Sequence, residues 1–274
     1  MTTNAYENFK TLEVIEKELK FMAKSIIRIK LLRSLENSTY TVKELSNDTG
    51  LCYSSVSTNL NKLEEKEYIS KKDKRFSTKE LTSLYLENLI EFDQTIEIIE
   101  NFKELWNQHN IEELNQKAML NLTSLIESEL IKSTPLDIYK THNILKDQLL
   151  NSKKIKLIFP YLHPEYPEMI KKSIENGANI ELIIPKEIHD EFYYKLINNT
   201  DTNDQLIIKS SKNNLNIYLT ITEEEMSLGL FKNDGSFDQN RILISNDKEA
   251  LNWASELFKS INMKIKEEEK NEFN

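Results

Sequence analysis

The hydrophobic period of this 274-residue chain changes near residue 153. Before that point, apolar residues recur three and four apart, the repeat of a helix face. After it, short apolar runs alternate with helical stretches, which argues an α/β sheet with a parallel portion. Residues 5–36 read as helix through Leu12, Ile15, Leu19, Met22, Ile26, Ile29 and Leu32. Turn formers follow at 36–39. Thr41-Val-Lys-Glu44 is a capping-box pattern, in which the Thr41 hydroxyl and the Glu44 carboxylate satisfy free N–H groups at a helix start. That short helix ends at Gly50, which tolerates the left-handed backbone a sharp turn needs. A second helix runs from about Tyr53 to Lys66, with Val56, Leu60 and Leu63 as its buried stripe. Residues 68–78 then read as a hairpin with Ile69 and Phe76 inward.

Residues 80–108 return to helical periodicity through Leu81, Leu84, Leu86, Leu89, Ile96, Ile99 and Phe102, the pattern of a linker and dimer element. Two or three helical segments are expected over 109–150, with a short strand at 129–132. Beyond 153, strands are expected at 155–159, 180–184, 205–209, 215–222, 226–231 and 241–244. Helices are expected at 166–176, 187–198 and 247–265. The expected division is 1–82 as a helix-turn-helix domain with a wing, 83–126 as a helical linker and dimerisation segment, 127–265 as an α/β effector-sensing domain, and 266–274 as a frayed tail.

Composition narrows the function. No apolar run approaches the ~20 residues of a membrane span, and the start lacks a basic segment followed by an apolar one, so neither membrane nor export is expected. With Cys52 alone, no intramolecular disulfide forms and a cytoplasmic location is favoured. The Asn-x-Thr matches at Asn121 and Asn199 then carry no meaning. The net charge is −9. Residues 1–82 carry +3 and the remainder −12, so the acidic balance lies outside the part that would meet a polyanion.

Helix, short helix, turn, helix and basic hairpin in that order is the pattern of a winged helix-turn-helix. A recognition helix needs small polar side chains to approach base edges in the major groove. Ser54, Ser55, Ser57, Thr58 and Asn61 are the candidates for groove contact. Lys62, Lys71, Lys72, Lys74 and Arg75 are the candidates for phosphate, where counterion release drives binding. No arginine faces the groove from this helix, so preference would rest on weaker contacts and DNA shape. The alternative for that face is a merely solvated one; Cys52, which stands where Ser or Asp usually caps, reads either as a redox-sensitive thiol near DNA or as a weak cap or small filler.

The run Ser227-Leu-Gly-Leu-Phe-Lys-Asn-Asp-Gly-Ser-Phe-Asp238 and the closing run Glu249–Phe258 resemble the signatures of a group of archaeal winged-helix regulators. Residues 105–110, 134–139 and 163–166 match in order. That family couples an ArsR-like winged helix to a sensor domain named for a methanogenesis and filamentation regulator. The resemblance spans about residues 20 to 262, with Ala254 where glycine is usual and Phe237 where tyrosine is usual. It implies a transcription regulator, an archaeal host and a homodimer.

The strand-helix alternation of the sensor domain is also phospholipase D-like. An enzyme of that kind needs a His-x-Lys pair. His163 is followed by Pro-Glu-Tyr, and His109, His142 and His189 lack the pattern too, so no catalytic residue is assigned. No His, Cys and Asp spacing fits a metal, and no cofactor is expected. Ligands of α/β sheets sit at the carboxyl ends of strands. Tyr161, His163 and Tyr166, with Phe231 and Asp238, are therefore the candidate effector-binding residues. A structural or capping role for His163, a loop-capping role for Asp238, a hairpin turn at Asp234-Gly235 and a core role for Trp253 and Phe258 are the alternatives. The expected partners are double-stranded DNA, a second copy of the chain and a small-molecule effector. Two copies would pair through residues 5–30 and 80–105, placing recognition helices about 34 Å apart on a palindromic site. A protein-interaction adaptor is the rival reading.

Overall fold

The computed structural model describes residues 13, 16–197, 205–213 and 215–271. Backbone proximity groups the chain into two compact units, Met1–Gln94 and Thr95–Asn274. The first part of the helix expected over 5–36, the end of the one expected over 187–198, Asn199 and residues 272–274 lie outside the described residues.

In the first unit, α1 (16–23) and α2 (Ile26–Leu35) are separate helices. The expected single helix is broken at Ser25, whose backbone is extended at φ −138°, ψ 98°. This break turns the apolar stripe: Met22, Leu31 and Leu32 are buried, whereas Ile26 is 69% exposed. Then come α3 (Val42–Thr49), α4 (Tyr53–Glu65), the antiparallel hairpin β1 (Ile69–Lys72) and β2 (Arg75–Thr78), and α5 (Glu80–Asn101). Both halves of the Thr41/Glu44 capping box form, and Gly50 sits at φ 69°. The two central residues of the hairpin turn, Asp73 and Lys74, have positive φ, matching the right-handed strand twist. Val56, Leu60 and Leu63 of α4 close over Leu31, Leu32, Leu45, Ile69 and Phe76.

The helix expected over 80–108 also breaks, at Phe102 (φ −113°, ψ 24°), before α6 (Lys103–Gln108). In its stripe Leu86 and Phe102 are buried, but Leu81, Leu84, Ile96 and Ile99 are 44–70% exposed.

In the second unit, α6 leads through α7 (Gln116–Leu120) and a 3-10 turn (Leu122–Leu125) to β3 (Glu129–Lys132) and α8 (Lys140–Asn151). Next follow β4 (Lys154–Ile158), α9 (Tyr166–Glu175), β5 (Asn179–Pro185), α10 (Lys186–Ile197) and β6 (Leu206–Ser211). The chain closes with β7 (Ile217–Ile221), β8 (Met226–Leu230), β9 (Arg241–Ser245) and α11 (Lys248–Asn271). The sheet order is β3-β9-β8-β7-β4-β5-β6; β4, β5 and β6 are parallel and the other pairs antiparallel. Alternation along the strands feeds two cores. Ile217 and Leu219 face Trp253, Leu257 and Phe258 of α11. Leu157, Leu182 and Tyr218 face Leu149, Ile170 and Phe192 of the other helical layer. Trp253 and Phe258 are thus core residues. The tail expected from 266 is instead helical to Asn271, where a Glu/Lys-rich sequence has good helix propensity.

Candidate functional site

The first unit presents a polar, cationic surface. Val56, Leu60 and Leu63 fix α4 against the core, which turns Ser54, Thr58, Asn61 and Lys62 outward into exposure. Ser57 is half-buried on the same face. Ser55 lies towards the core margin, half-buried, and its carbonyl accepts from the Asn59 amide at 2.9 Å. Tyr53, 59% exposed at the head of α4, is a surface aromatic that a search for small polar residues passes over. Cys52 is exposed at the head of α4 and is therefore not a filler of the core. The Ser54 hydroxyl, 3.5 Å from its sulfur, and the Ser55 amide hold its thiol below the usual range.

The wing divides its four cations. Lys72 and Lys74 are exposed and enter no ion pair among the described residues. Lys71 Nζ lies 5.2 Å from the centre of the Phe76 ring, directly across the hairpin. Arg75 is committed elsewhere. Its guanidinium donates to the Thr39 carbonyl at 2.8 Å and the Thr39 hydroxyl at 3.2 Å, and pairs with Glu44 at 3.1 Å. The Thr41 amide and this arginine hold the Glu44 carboxyl below its ordinary value. Arg75 therefore ties the wing to the start of α3.

In the second unit a cavity of about 140 Å³ opens beyond β4. Tyr161, His163 and Tyr166 line it together, as expected for the carboxyl end of a strand. The Tyr161 and Tyr166 hydroxyls are 3.1 Å apart, and burial raises both phenols. The Glu165 amide donates to His163 Nδ1 at 3.2 Å, a local cap as well as a cavity wall. Burial and the neighbouring His142, ring centres 4.8 Å apart, lower the His163 imidazole. His142 Nε2 faces Glu165 at 3.2 Å and holds that carboxyl low. His142, Glu165 and Gln239 also line the cavity, and the sequence does not point to them; Phe237, which stands where tyrosine is usual, lines it too. They come from α8, the loop after β4 and the loop after β8, and no spacing in sequence links those segments.

Phe231 and Asp238 do not line the cavity. Phe231 packs edge-on against Phe237 at 5.3 Å. Asp238, 2% exposed, faces His109 Nε2 at 2.9 Å, while His109 Nδ1 faces the Leu105 carbonyl at 2.8 Å. Arg241 Nε stands 3.4 Å from the same Asp238 oxygen, so this carboxyl is held from two sides. Around it the Asn110 amide donates to the Phe231 carbonyl, the Asn233 amide to the Gln108 carbonyl, and Arg241 to the Gln108 side chain. The runs 105–110 and 227–238 are thus two halves of one clasp. Asp234 accepts from the Ser236 amide and Gly235 takes φ 85°, so Asp234-Gly235 is the hairpin turn. Gly229 leaves room for the ring of Phe237: a Cβ there would stand 2.9 Å from it.

Among the described residues no group of three His, Cys, Asp or Glu is arranged to hold a metal ion, and no helix is long and apolar enough to cross a membrane.

Comparison with known proteins gives matches in both units. Residues 26–71 match the model described as bacterial regulatory protein, arsR family. Residues 138–263 match the middle domain of methanogenesis regulatory protein FilR1. Methanogenesis regulatory protein FilR1 of Methanothrix harundinacea (strain 6Ac) is 25% identical over 162 residues, covering 57% of this chain. The chain spans 36% of the length of that relative. Among solved structures, TrmBL2, described as an archaeal chromatin protein, aligns at a TM-score of 0.41 and 11% identity over 91% of this chain and 98% of its own. NucT from Helicobacter pylori aligns at 0.37 and 15% identity over 48% of this chain and 93% of its own. Residues 26–71 thus resemble an ArsR-family helix-turn-helix and residues 138–263 a FilR1 middle domain, in that order along the chain.

Proposed function

We propose that this protein is a cytoplasmic, homodimeric transcription regulator that binds double-stranded DNA through residues 1–82 and answers to a small molecule held by residues 127–265. The observation that carries the reading is the capped α3, the left-handed Gly50 and the polar face of α4, ahead of a wing with exposed Lys72 and Lys74. Ser54, Ser57, Thr58 and Asn61 are assigned to the groove. Lys62, Lys71, Lys72 and Lys74 are assigned to phosphate. Ser55, half-buried like Ser57, is assigned to the groove margin, and Arg75 serves the fold first, given its partners.

Dimerisation is assigned to α1 and α5. Leu19, Leu81, Leu84, Tyr85 and Phe92 are 51–70% exposed, and an apolar groove of about 390 Å³ runs between Leu19, Met22, Tyr85, Leu89 and Phe92. Large exposed apolar patches mark interaction surfaces. Pairing there supports recognition helices one DNA turn apart. The effector is assigned to the cavity lined by Tyr161, His163 and Tyr166. Regulation rather than phosphodiester hydrolysis is favoured because Pro164-Glu165-Tyr166 follows His163, with no lysine to bind a phosphate.

Genome-wide crosslinking and sequencing of bound DNA in the native cell tests this reading. A few sharp palindromic peaks are expected, near genes that identify the effector. No enrichment, with purified protein also silent towards DNA at low salt, would move the reading to a protein-interaction adaptor.

A further inference from the structure

The geometry points to the class of ligand this cavity takes: a flat heteroaromatic ring of nucleobase size, stacked on an aromatic wall and read along its edge by Gln239 and Asn240. This inference rests on the effector reading above and adds the chemistry of the effector.

The aromatic wall is built around the buried Tyr166: His142, His163, Tyr166, Tyr161 and Phe237 follow ring on ring at centroid distances of 4.8, 5.1, 5.8 and 4.9 Å, each tilted by 39–46° to the next, so that single faces rather than one plane are offered. Such a surface attracts a conjugated planar molecule through its faces. At the mouth, Ile138 and Tyr139 are 60% and 62% exposed, apolar surface that a flat ligand would cover. The cavity of about 140 Å³ has room for about ten waters at ~10–15 Å³ each. That is room for one or two fused rings and little more.

Charge argues the same way. The lining holds no lysine or arginine, and its one carboxylate, Glu165, is engaged by His142 and by Lys146 at 3.8 Å. A phosphate or a polycarboxylate would meet no cation to pair with, and burying it there would be costly. The open polar groups are neutral. The side-chain amides of Gln239 and Asn240 have no hydrogen-bond partner among the described residues. Each offers two donors and one acceptor, the complement of a ring edge that carries both. His163, its Nδ1 already accepting, offers Nε2–H.

The test is calorimetric titration of the full chain with adenine, guanine, uracil and cytosine, with citrate and glucose as chemically different probes. At least one base is expected to bind. Tyr161→Leu and Gln239→Leu should each weaken it tenfold or more while leaving the thermal unfolding of the second unit in place. Base binding untouched by both substitutions would overturn the site. No base binding at all would overturn the class. Citrate or glucose binding in a Tyr161-dependent way would also overturn the class while keeping the cavity as the effector site. The effector reading itself is judged separately by Gln239→Trp, which fills the mouth from an exposed position. If that variant occupies its DNA sites like the parent under every growth condition, the cavity controls nothing.

Discussion

The two units handle polar groups in opposite ways. The first wears them: Ser54, Thr58, Asn61, Lys62, Lys72 and Lys74 face solvent on one helix and one hairpin tip. The second hides them: Asp238 and His109 are buried against each other, and the tyrosines and histidines of the cavity are engaged with their own neighbours. A surface meant for a long polyanion needs exposed charge whose counterions can leave. A site for a small molecule needs pre-formed walls and few, placed polar groups. The same residue types thus do different work according to whether water can reach them.

The sharpest way to break this contrast is to remove one member of the buried pair. His109→Ala leaves Asp238 with Arg241 alone, Asp238→Ala leaves a buried imidazole nitrogen without its partner, and each should cost about 1–3 kcal/mol. Urea unfolding followed by the fluorescence of Trp106 and Trp253, both in the second unit, reads that loss directly. A loss under about 1 kcal/mol would mean the pair is wet and the clasp ornamental. Gly229→Ala should cost roughly 1–3 kcal/mol in the same assay, because its methyl group meets the Phe237 ring. An unchanged midpoint would show that Phe237 moves freely.

Arg75→Ala should cost about 0.5–1.5 kcal/mol of stability in the first unit, since the side chain is half-exposed and its bonds are partly screened. If it instead lowers DNA affinity as much as a wing lysine does, with stability unchanged, Arg75 belongs on the phosphates. The smallest effect is a pH dependence. The folded environment lowers the His163 imidazole, so the unfolded chain binds the proton more readily. Stability should therefore fall as pH drops through the ordinary histidine range, and His163→Gln should flatten that slope. A slope identical in the variant would assign the dependence to another group.

The same contrast explains what is legible in the sequence. The α4 face is readable because its period, the cap at Thr41 and the turn at Gly50 all lie within one stretch of chain. The parallel portion of the sheet is readable because β4, β5 and β6 alternate with helices. Two breaks, at Ser25 and Phe102, are hidden because the apolar spacing on either side continues the helical repeat and neither residue is a breaker. In the cavity, Tyr161, His163 and Tyr166 share one loop and can be found together. His142 and Gln239 reach it through folding alone, and Phe237 is marked in sequence only by replacing a usual tyrosine. Asp238 looks like a ligand contact because a signature run ends on it, yet its partner is His109, 129 residues away in sequence.

The wing's place on DNA is tested most directly by the salt dependence of affinity for the full chain and for Lys71→Ala/Lys72→Ala/Lys74→Ala, on one specific and one random duplex. Each phosphate interaction removed should reduce the slope of log affinity against log salt by about 0.9, so the triple variant should flatten it by roughly two to three on both duplexes. An unchanged slope would contradict the claim that this wing lies on the DNA backbone.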